Sequence, residues 1–146
     1  MIQRVQTIWL LLAALANAGL FMLDLYRYDT TVGGAAKTVN FEAMSNPLLM
    51  VLAVAITALP FLAIFLFKNR SSQKTLVWLS MVLTIGFVAA TLMSIGNITN
   101  TGSSAPTNGT YRAGFVLPVL SFIFHILALR GIRKDQKLVK SLDRLR

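Results

Sequence analysis

Residues 47–67 read PLLMVLAVAITALPFLAIFLF, and residues 76–95 read LVWLSMVLTIGFVAATLMSI. Neither run contains a charged residue, and a polar, basic turn at 68–75 separates them. A helix needs roughly 20 apolar residues to cross a hydrocarbon core about 30 Å thick. Each run therefore predicts a transmembrane helix, and the short turn predicts that the two helices are antiparallel neighbours.

Two further apolar stretches flank this pair, at residues 7–25 and 112–131. The chain has 146 residues, of which 55% are hydrophobic and only 13% charged, about half the usual charged share of a soluble domain. We therefore predict an all-α membrane protein with a single domain at 1–146. Its expected architecture is an antiparallel four-helix transmembrane bundle followed by a basic amphipathic tail at 132–146.

The basic residues fall unequally on the two sides of such a bundle. Eleven of the 14 lie on the side of the two termini, and the other three are Arg27, Lys37 and Arg112. Basic flanks favour the cytoplasm, so this asymmetry predicts that both termini are cytoplasmic. The same bias accounts for the net charge of +9 without nucleic acid. The chain has no cysteine, which excludes disulfides and thiol chemistry.

The first external connector is expected to fold rather than to stay loose. Residues 30–32 and 37–41 are β-prone and flank Gly33-Gly34, which is typical of a hairpin. A further β-prone piece lies at 109–112 in the third connector. The two connectors are expected to form a small external cap, with disordered polar loops as the alternative.

Both ends of the chain resemble a known family. The opening MIQRVQT at 1–7 and the ending IRKDQKLVKSLDRLR at 132–146 are similar to domain-of-unknown-function family 4293, a group of small four-helix inner-membrane proteins of Bacteroidota. The resemblance covers the whole length. It implies four spans in a bacterial inner membrane and carries no assigned activity.

Because the family's recognisable residues lie at the cytoplasmic ends, the candidate partner- or lipid-contact residues are placed there. They are Arg4, Gln6, Arg133, Lys134, Asp135, Lys137, Lys140, Asp143 and Arg144. We expect Arg4 and Gln6 to lie near the tail, at Asp135, Ser141, Asp143 and Arg144. The tail itself either lies on the cytoplasmic leaflet or continues the fourth helix.

Two polar residues stand inside the predicted spans, Asn17 and His125. An intramembrane ionisable group is a functional candidate, but a neutral histidine bonded to a neighbouring helix through a Ser or Thr explains His125 equally simply. The Asn17 amide is expected to bond across the bundle. Asp24 stands three residues before Arg27, a spacing that allows a local ion pair.

Small residues recur at four-residue spacing in the first and third spans, at Ala14 and Ala18 and at Gly86, Ala90 and Ser94. Such faces let helices approach closely, so they are expected to pack within the bundle, with a homo-oligomer interface as the alternative. Pro60 and Pro118 are expected to mark kinks.

The sequence contains no motif for catalysis, a cofactor or a metal. We therefore expect a non-catalytic accessory or structural subunit of a larger membrane assembly, in secretion, envelope biogenesis or respiration. Its expected partners are the lipid bilayer and other integral membrane proteins. One alternative is a small-molecule, quinone-binding or transport component that uses His125, Asn17 and Asp24. Another is a membrane anchor whose basic tail contacts the ribosome or RNA.

Overall fold

The computed structural model describes residues 2–32, 35–67, 69–100 and 107–143, with side chains described except at 2–4, 31–32, 36, 107 and 139–143. The helices are α1 (Ile2–Ala18), α2 (Pro47–Phe65), α3 (Arg70–Asn100) and α4 (Leu117–Asp143). The strands are β1 (Tyr26–Val32), β2 (Ala35–Phe41) and β3 (Thr107–Tyr111). The predicted four helices are confirmed. Three described helical segments are long and apolar enough to cross a membrane, and a shorter apolar one is Val5–Phe21.

The helices pack in chain order around a four-cornered bundle. α1 packs against α2 and α4, and α3 packs against the same two helices. The strands lie at one end, which we call the sheet end, and the α2–α3 turn and the C-terminal part of α4 lie at the other, the tail end. One apolar cluster around Phe87 and Leu49 fills the sheet end, and a second around Leu10 and Ile132 fills the tail end.

Two predicted helix boundaries are wrong. The first span was placed at 7–25, but α1 ends at Ala18 and only a short 3₁₀ turn, Gly19–Phe21, follows it. Leu25 is apolar because it is buried beneath the sheet, where its N–H donates to the Phe41 carbonyl at 2.9 Å. The turn was predicted at 68–75, whereas α3 already begins at Arg70 and contains the whole span predicted at 76–95.

The connectors form a three-stranded antiparallel sheet in the order β2-β1-β3, with Tyr26 opposite both Phe41 and Tyr111. The predicted hairpin and the small sheet built from both connectors are thus confirmed, although Gly33-Gly34 lie outside the described residues. The Tyr26 ring is buried against the sheet-end cluster and passes over Gly109. A Cβ atom at Gly109 would overlap the Tyr26 hydroxyl, so any other residue there would have to displace the Tyr26 ring.

The three prolines in the predicted spans occupy different positions in their helices. Asn46 caps α2 by accepting a hydrogen bond from the Leu48 N–H at 2.9 Å, and Pro47 occupies the first turn. Pro60 lies inside α2. Pro118 instead lies in the first turn of α4, where a backbone N–H has no intrahelical partner to lose. The predicted kink at Pro118 is therefore wrong.

Only some of the small residues at four-residue spacing pack inside the bundle. Ala14 is buried and Ala90 packs on the sheet-end cluster, as expected. Gly86 is exposed, with nothing within 4 Å of a Cβ atom built on it, so its expected packing inside the bundle is wrong.

The tail does not form a separate helix. α4 runs without a break from Leu117 to Asp143, a rise of about 40 Å over its 27 residues. Of the two arrangements expected for the tail, the structure shows the one in which the tail continues the fourth helix. Residues 144–146 lie outside the described chain.

Candidate functional site: the buried polar interior

His125 lies at the centre of a polar cluster between α3 and α4. Its Nε2 is 2.9 Å from the Ser80 hydroxyl of α3, and its Nδ1 is 2.7 Å from the Ser121 carbonyl oxygen one turn earlier in α4. The Ser121 hydroxyl lies 3.3 Å from the same Nδ1. All three residues are fully buried. The predicted hydrogen bond to a neighbouring helix through a serine is therefore present.

The partners of His125 fix its tautomer. A carbonyl oxygen only accepts hydrogen bonds, so Nδ1 carries the proton and donates it to Ser121 O. In the neutral ring Nε2 then accepts from the Ser80 hydroxyl. Both ring nitrogens are thus occupied by the protein itself. This arrangement holds α3 against α4.

Asn17 makes the corresponding link between α1 and α2. Its Nδ2 donates to the Ile56 carbonyl oxygen at 2.7 Å, and the side chain is fully buried. Ile56 stands four residues before Pro60, which has no N–H to close the helical bond. Asn17 therefore supplies the donor that Pro60 lacks, and the predicted cross-bundle bond is confirmed.

Other buried polar groups are satisfied in the same local way. Gln73 Nε2 donates to the Ala63 carbonyl at 3.0 Å and so caps the C-terminal turn of α2. Thr84 and Thr91 donate to carbonyls one turn back in α3, both at 2.8 Å. Among described side chains, the buried atoms without a hydrogen-bond partner are Gln6 Nε2 and Asn17 Oδ1. The buried polar side chains therefore mainly form hydrogen bonds between helices or within one helix.

The tail end contains an ion pair that the sequence analysis missed. Arg70, at the start of α3, lies 3.0 Å from the Asp135 carboxylate of α4, and both side chains are mostly buried. Gln6 packs on Gly131 of α4. Asp135 was expected near Arg4, but its partner in the structure is Arg70. The Arg4 side chain is outside the described set.

The remaining tail candidates whose side chains are described lie on the surface of α4. Arg133, Lys134 and Lys137 are exposed on α4. The side chains of Lys140, Ser141 and Asp143, and all of Arg144, lie outside the described residues.

The sheet end contains the predicted local ion pair. Arg27 Nη2 lies 3.4 Å from Asp24 Oδ2, and Arg27 Nε donates to Asn40 Oδ1 at 2.8 Å. Asp24 also lines a recess of about 350 Å³. That recess is formed by Leu23, Asp24, Tyr111, Arg112 and Ala113.

A second cavity is an open, apolar groove of about 340 Å³ on the outer face between α1 and α2, which we call the α1–α2 groove. It is lined by Leu11, Ala14, Leu15, Ala18, Phe21, Val54, Thr57, Ala58 and Phe61. Neither cavity is lined by Asn17 or His125. The small-molecule alternative required a cavity joining Asn17, Asp24 and His125, and these two cavities do not join them.

The described residues contain no group of three or more His, Asp or Glu side chains placed to hold a metal ion. The roles of Ser80 and Arg70 could not be predicted from the sequence, because the partner of a lone serine in an apolar run, or of an arginine in a turn, depends on how the helices pack. The available signal was depth: Ser80 and His125 lie at comparable distances from the tail ends of their spans.

A family model described as a domain of unknown function, DUF4293, matches residues 2–145. The chain belongs to the DUF4293 family. The match covers both terminal motifs and the four helices, so the DUF4293 unit is the whole bundle with its sheet. No curated protein and no solved structure matches this DUF4293 member.

Proposed function

We propose that this DUF4293 member is a four-span protein of the bacterial inner membrane with both ends in the cytoplasm. In this proposal it serves as a non-catalytic subunit of a larger membrane assembly. The observation that carries the proposal is its apolar outer surface, which includes an open groove.

The distribution of polarity supports insertion in a bilayer. The polar side chains Asn17, Ser80 and His125 are buried between the helices, whereas large apolar side chains face outward. The outward set includes Val51, Val54, Phe61, Leu62, Val82, Ile85, Leu92, Met93, Val119, Leu120 and Ile123, each at least 40% exposed. In water such a surface would drive aggregation, whereas in lipid it costs nothing.

The charges support the orientation. The α2–α3 turn and the C-terminal part of α4 lie at one end, together with the great majority of the basic residues. The sheet end carries Arg27, Lys37 and Arg112. Positive residues near span ends favour the cytoplasmic side, so the tail end is placed in the cytoplasm.

The α1–α2 groove supports the role as a subunit. Its floor includes Ala14 and Ala18, spaced four residues apart on α1, together with Ala58 of α2. Small residues at this spacing let another helix backbone approach closely, which is the main source of helix association in lipid. We propose that an apolar transmembrane helix of a partner protein packs in this groove.

The orientation can be tested by single-cysteine labelling, because the natural chain has no cysteine and gives no background. Thr110 is exposed on β3 and Lys134 is exposed on α4, so the two test variants are Thr110→Cys and Lys134→Cys. A membrane-impermeant maleimide added to intact spheroplasts is expected to label Thr110→Cys, and to label Lys134→Cys only after lysis. The opposite pattern would overturn the orientation. Labelling of both sites without lysis would overturn the four-span arrangement.

The subunit role can be tested by purifying the tagged protein at native level in mild detergent and identifying what accompanies it by mass spectrometry. A stoichiometric set of membrane proteins is expected. Ala18→Leu fills the α1–α2 groove and is expected to release them, whereas the matched Ala89→Leu on the exposed face of α3 is expected to retain them. Size-exclusion profiles check that both variants fold. Isolation of the chain alone, or only with its own copies, would contradict the proposal.

A further inference from the structure

The sheet-end recess is a rigidly built feature. Its two walls, residues 23–25 and 111–114, are joined by backbone hydrogen bonds from Arg112 N to Leu25 O and from Gly114 N to Asp24 O, both 3.1 Å. A Cβ atom at Gly114 would lie 2.5 Å from the Asp24 carbonyl oxygen, so only glycine allows the walls to meet this closely. The backbone therefore fixes the two segments that line the recess against each other.

The recess contains one charge of each sign, and these charges do not neutralise each other. Asp24 binds Arg27 through Oδ2, and its described contacts leave Oδ1 without a partner. Arg112 is exposed, and the ion pairs among the described residues do not include it. A ligand that carries both an anion and a cation donor would complement the two side chains together.

Apolar surface continues from the recess along α4. Val116, Val119, Leu120 and Ile123 are 53%, 51%, 40% and 47% exposed, and their spacing places them on one helical face. Met22 and Leu23, beside the recess on the other wall, are 87% and 41% exposed. A polar recess joined to an outward apolar face has the chemistry of a site for an amphiphile.

We propose that this recess binds a phospholipid whose zwitterionic headgroup contains a phosphate and a primary amine. Arg112 contacts the phosphate, Asp24 Oδ1 accepts a hydrogen bond from the ammonium, and the acyl chains lie along Val116–Ile123. The inference rests on the membrane location in the proposed function and does not depend on the subunit role.

The test is lipid titration of the delipidated, detergent-purified protein, monitored by native mass spectrometry. The probes are dioleoyl phosphatidylethanolamine, phosphatidylcholine and phosphatidylglycerol, together with water-soluble glycerophosphoethanolamine. Phosphatidylethanolamine is expected to bind best, because phosphatidylcholine has no N–H donor and phosphatidylglycerol has no ammonium. Arg112→Gln is expected to weaken phosphatidylethanolamine binding about tenfold, the usual effect of losing one charge-assisted hydrogen bond.

Asp24→Asn is expected to reduce the preference for phosphatidylethanolamine over phosphatidylcholine to less than about twofold, because the primary ammonium loses a charge-assisted hydrogen bond whereas the choline group loses only a Coulombic attraction. The matched control is Lys37→Gln, which removes the same charge from an exposed position of β2 at the same end and lies outside the recess lining, so it is expected to preserve binding. Equal weakening by Lys37→Gln and Arg112→Gln would overturn the proposal, since overall charge would then explain the affinity.

Three other results would also overturn the lipid site. They are equal binding of all three lipids by the natural chain, an unchanged preference in Asp24→Asn, and binding of glycerophosphoethanolamine as tight as that of the intact lipid. Because the measurement uses isolated protein in detergent, its failure leaves the labelling and partner experiments to stand separately. A failure of those experiments likewise does not alter the titration.

Discussion

Removal of the Asn17 amide tests the idea that this side chain replaces the donor missing at Pro60. In Asn17→Leu the bond to the Ile56 carbonyl is lost, and that buried carbonyl keeps no donor because Pro60 has no N–H. Interhelical side-chain bonds in membrane proteins contribute about 0.6 kcal/mol on average and up to about 1.7 kcal/mol. An unsatisfied buried acceptor costs about 1–3 kcal/mol, and loss of the unpaired Asn17 Oδ1 offsets part of this cost. We expect a net loss of about 1–2 kcal/mol of unfolding free energy.

The decisive comparison is with Pro60→Ala. An alanine at position 60 restores an N–H that can bond to Ile56 O, so Asn17→Leu in that background is expected to cost less than about 0.5 kcal/mol. The coupling energy of the double-mutant cycle is the difference of these two costs and should therefore be about 0.5–2 kcal/mol. It can be measured by reversible unfolding in mixed micelles or by steric trapping. Effects that add to within about 0.3–0.5 kcal/mol would refute the reasoning, because independent sites behave in that way.

Three further predictions concern other contacts. Ser80→Ala leaves His125 Nε2 without a donor and should lower the free energy of unfolding by about 1–2 kcal/mol. In a His125→Leu background the same substitution should cost much less, and an unchanged cost there would show that the two side chains do not interact. Asp135→Asn removes the partner of Arg70 and should lower the thermal midpoint at low salt by an amount equivalent to about 1 kcal/mol. The decrease should be smaller at 1 M salt, and an equal decrease at both salt concentrations would argue against a Coulombic contribution. Gly109→Val should displace the Tyr26 ring that packs on this glycine and raise protease sensitivity at the sheet, which limited proteolysis would detect. Unchanged cleavage would contradict the steric argument.

The number and approximate places of the helices could be predicted from the sequence because lipid-length apolar runs are a strong signal. The end of α1 could not. Leu25 extends the apolar run, but its N–H bonds to the Phe41 carbonyl, a tertiary contact that removes it from the helix. The extra turns of α3 were missed for the opposite reason, since its polar terminal turns, 70–75 and 96–100, resemble loop composition.

At the candidate site, residue type predicted the class of contact but not the partner. A polar side chain in an apolar span needs a hydrogen bond, so bonds from Asn17 and His125 could be expected. The choice of Ile56 O follows from Pro60, and this link was available in the sequence as a spacing of four residues. The choice of Ser80 requires the relative depth of two helices. The pairing of Arg70 with Asp135 depends on α4 continuing as a helix, which the sequence left open.

The strand order has a consequence for how the chain is built. β1 and β2 belong to the connector between α1 and α2, whereas β3 belongs to the connector between α3 and α4. β1 is the central strand, so one of its edges stays vacant until the last connector arrives. Under the proposed topology, the first helical hairpin can enter the membrane and form its own β-hairpin, but the second hairpin is latched only after its connector has been translocated. Under the same topology, a chain interrupted before β3 would expose an unpaired edge of β1 on the outer side of the membrane.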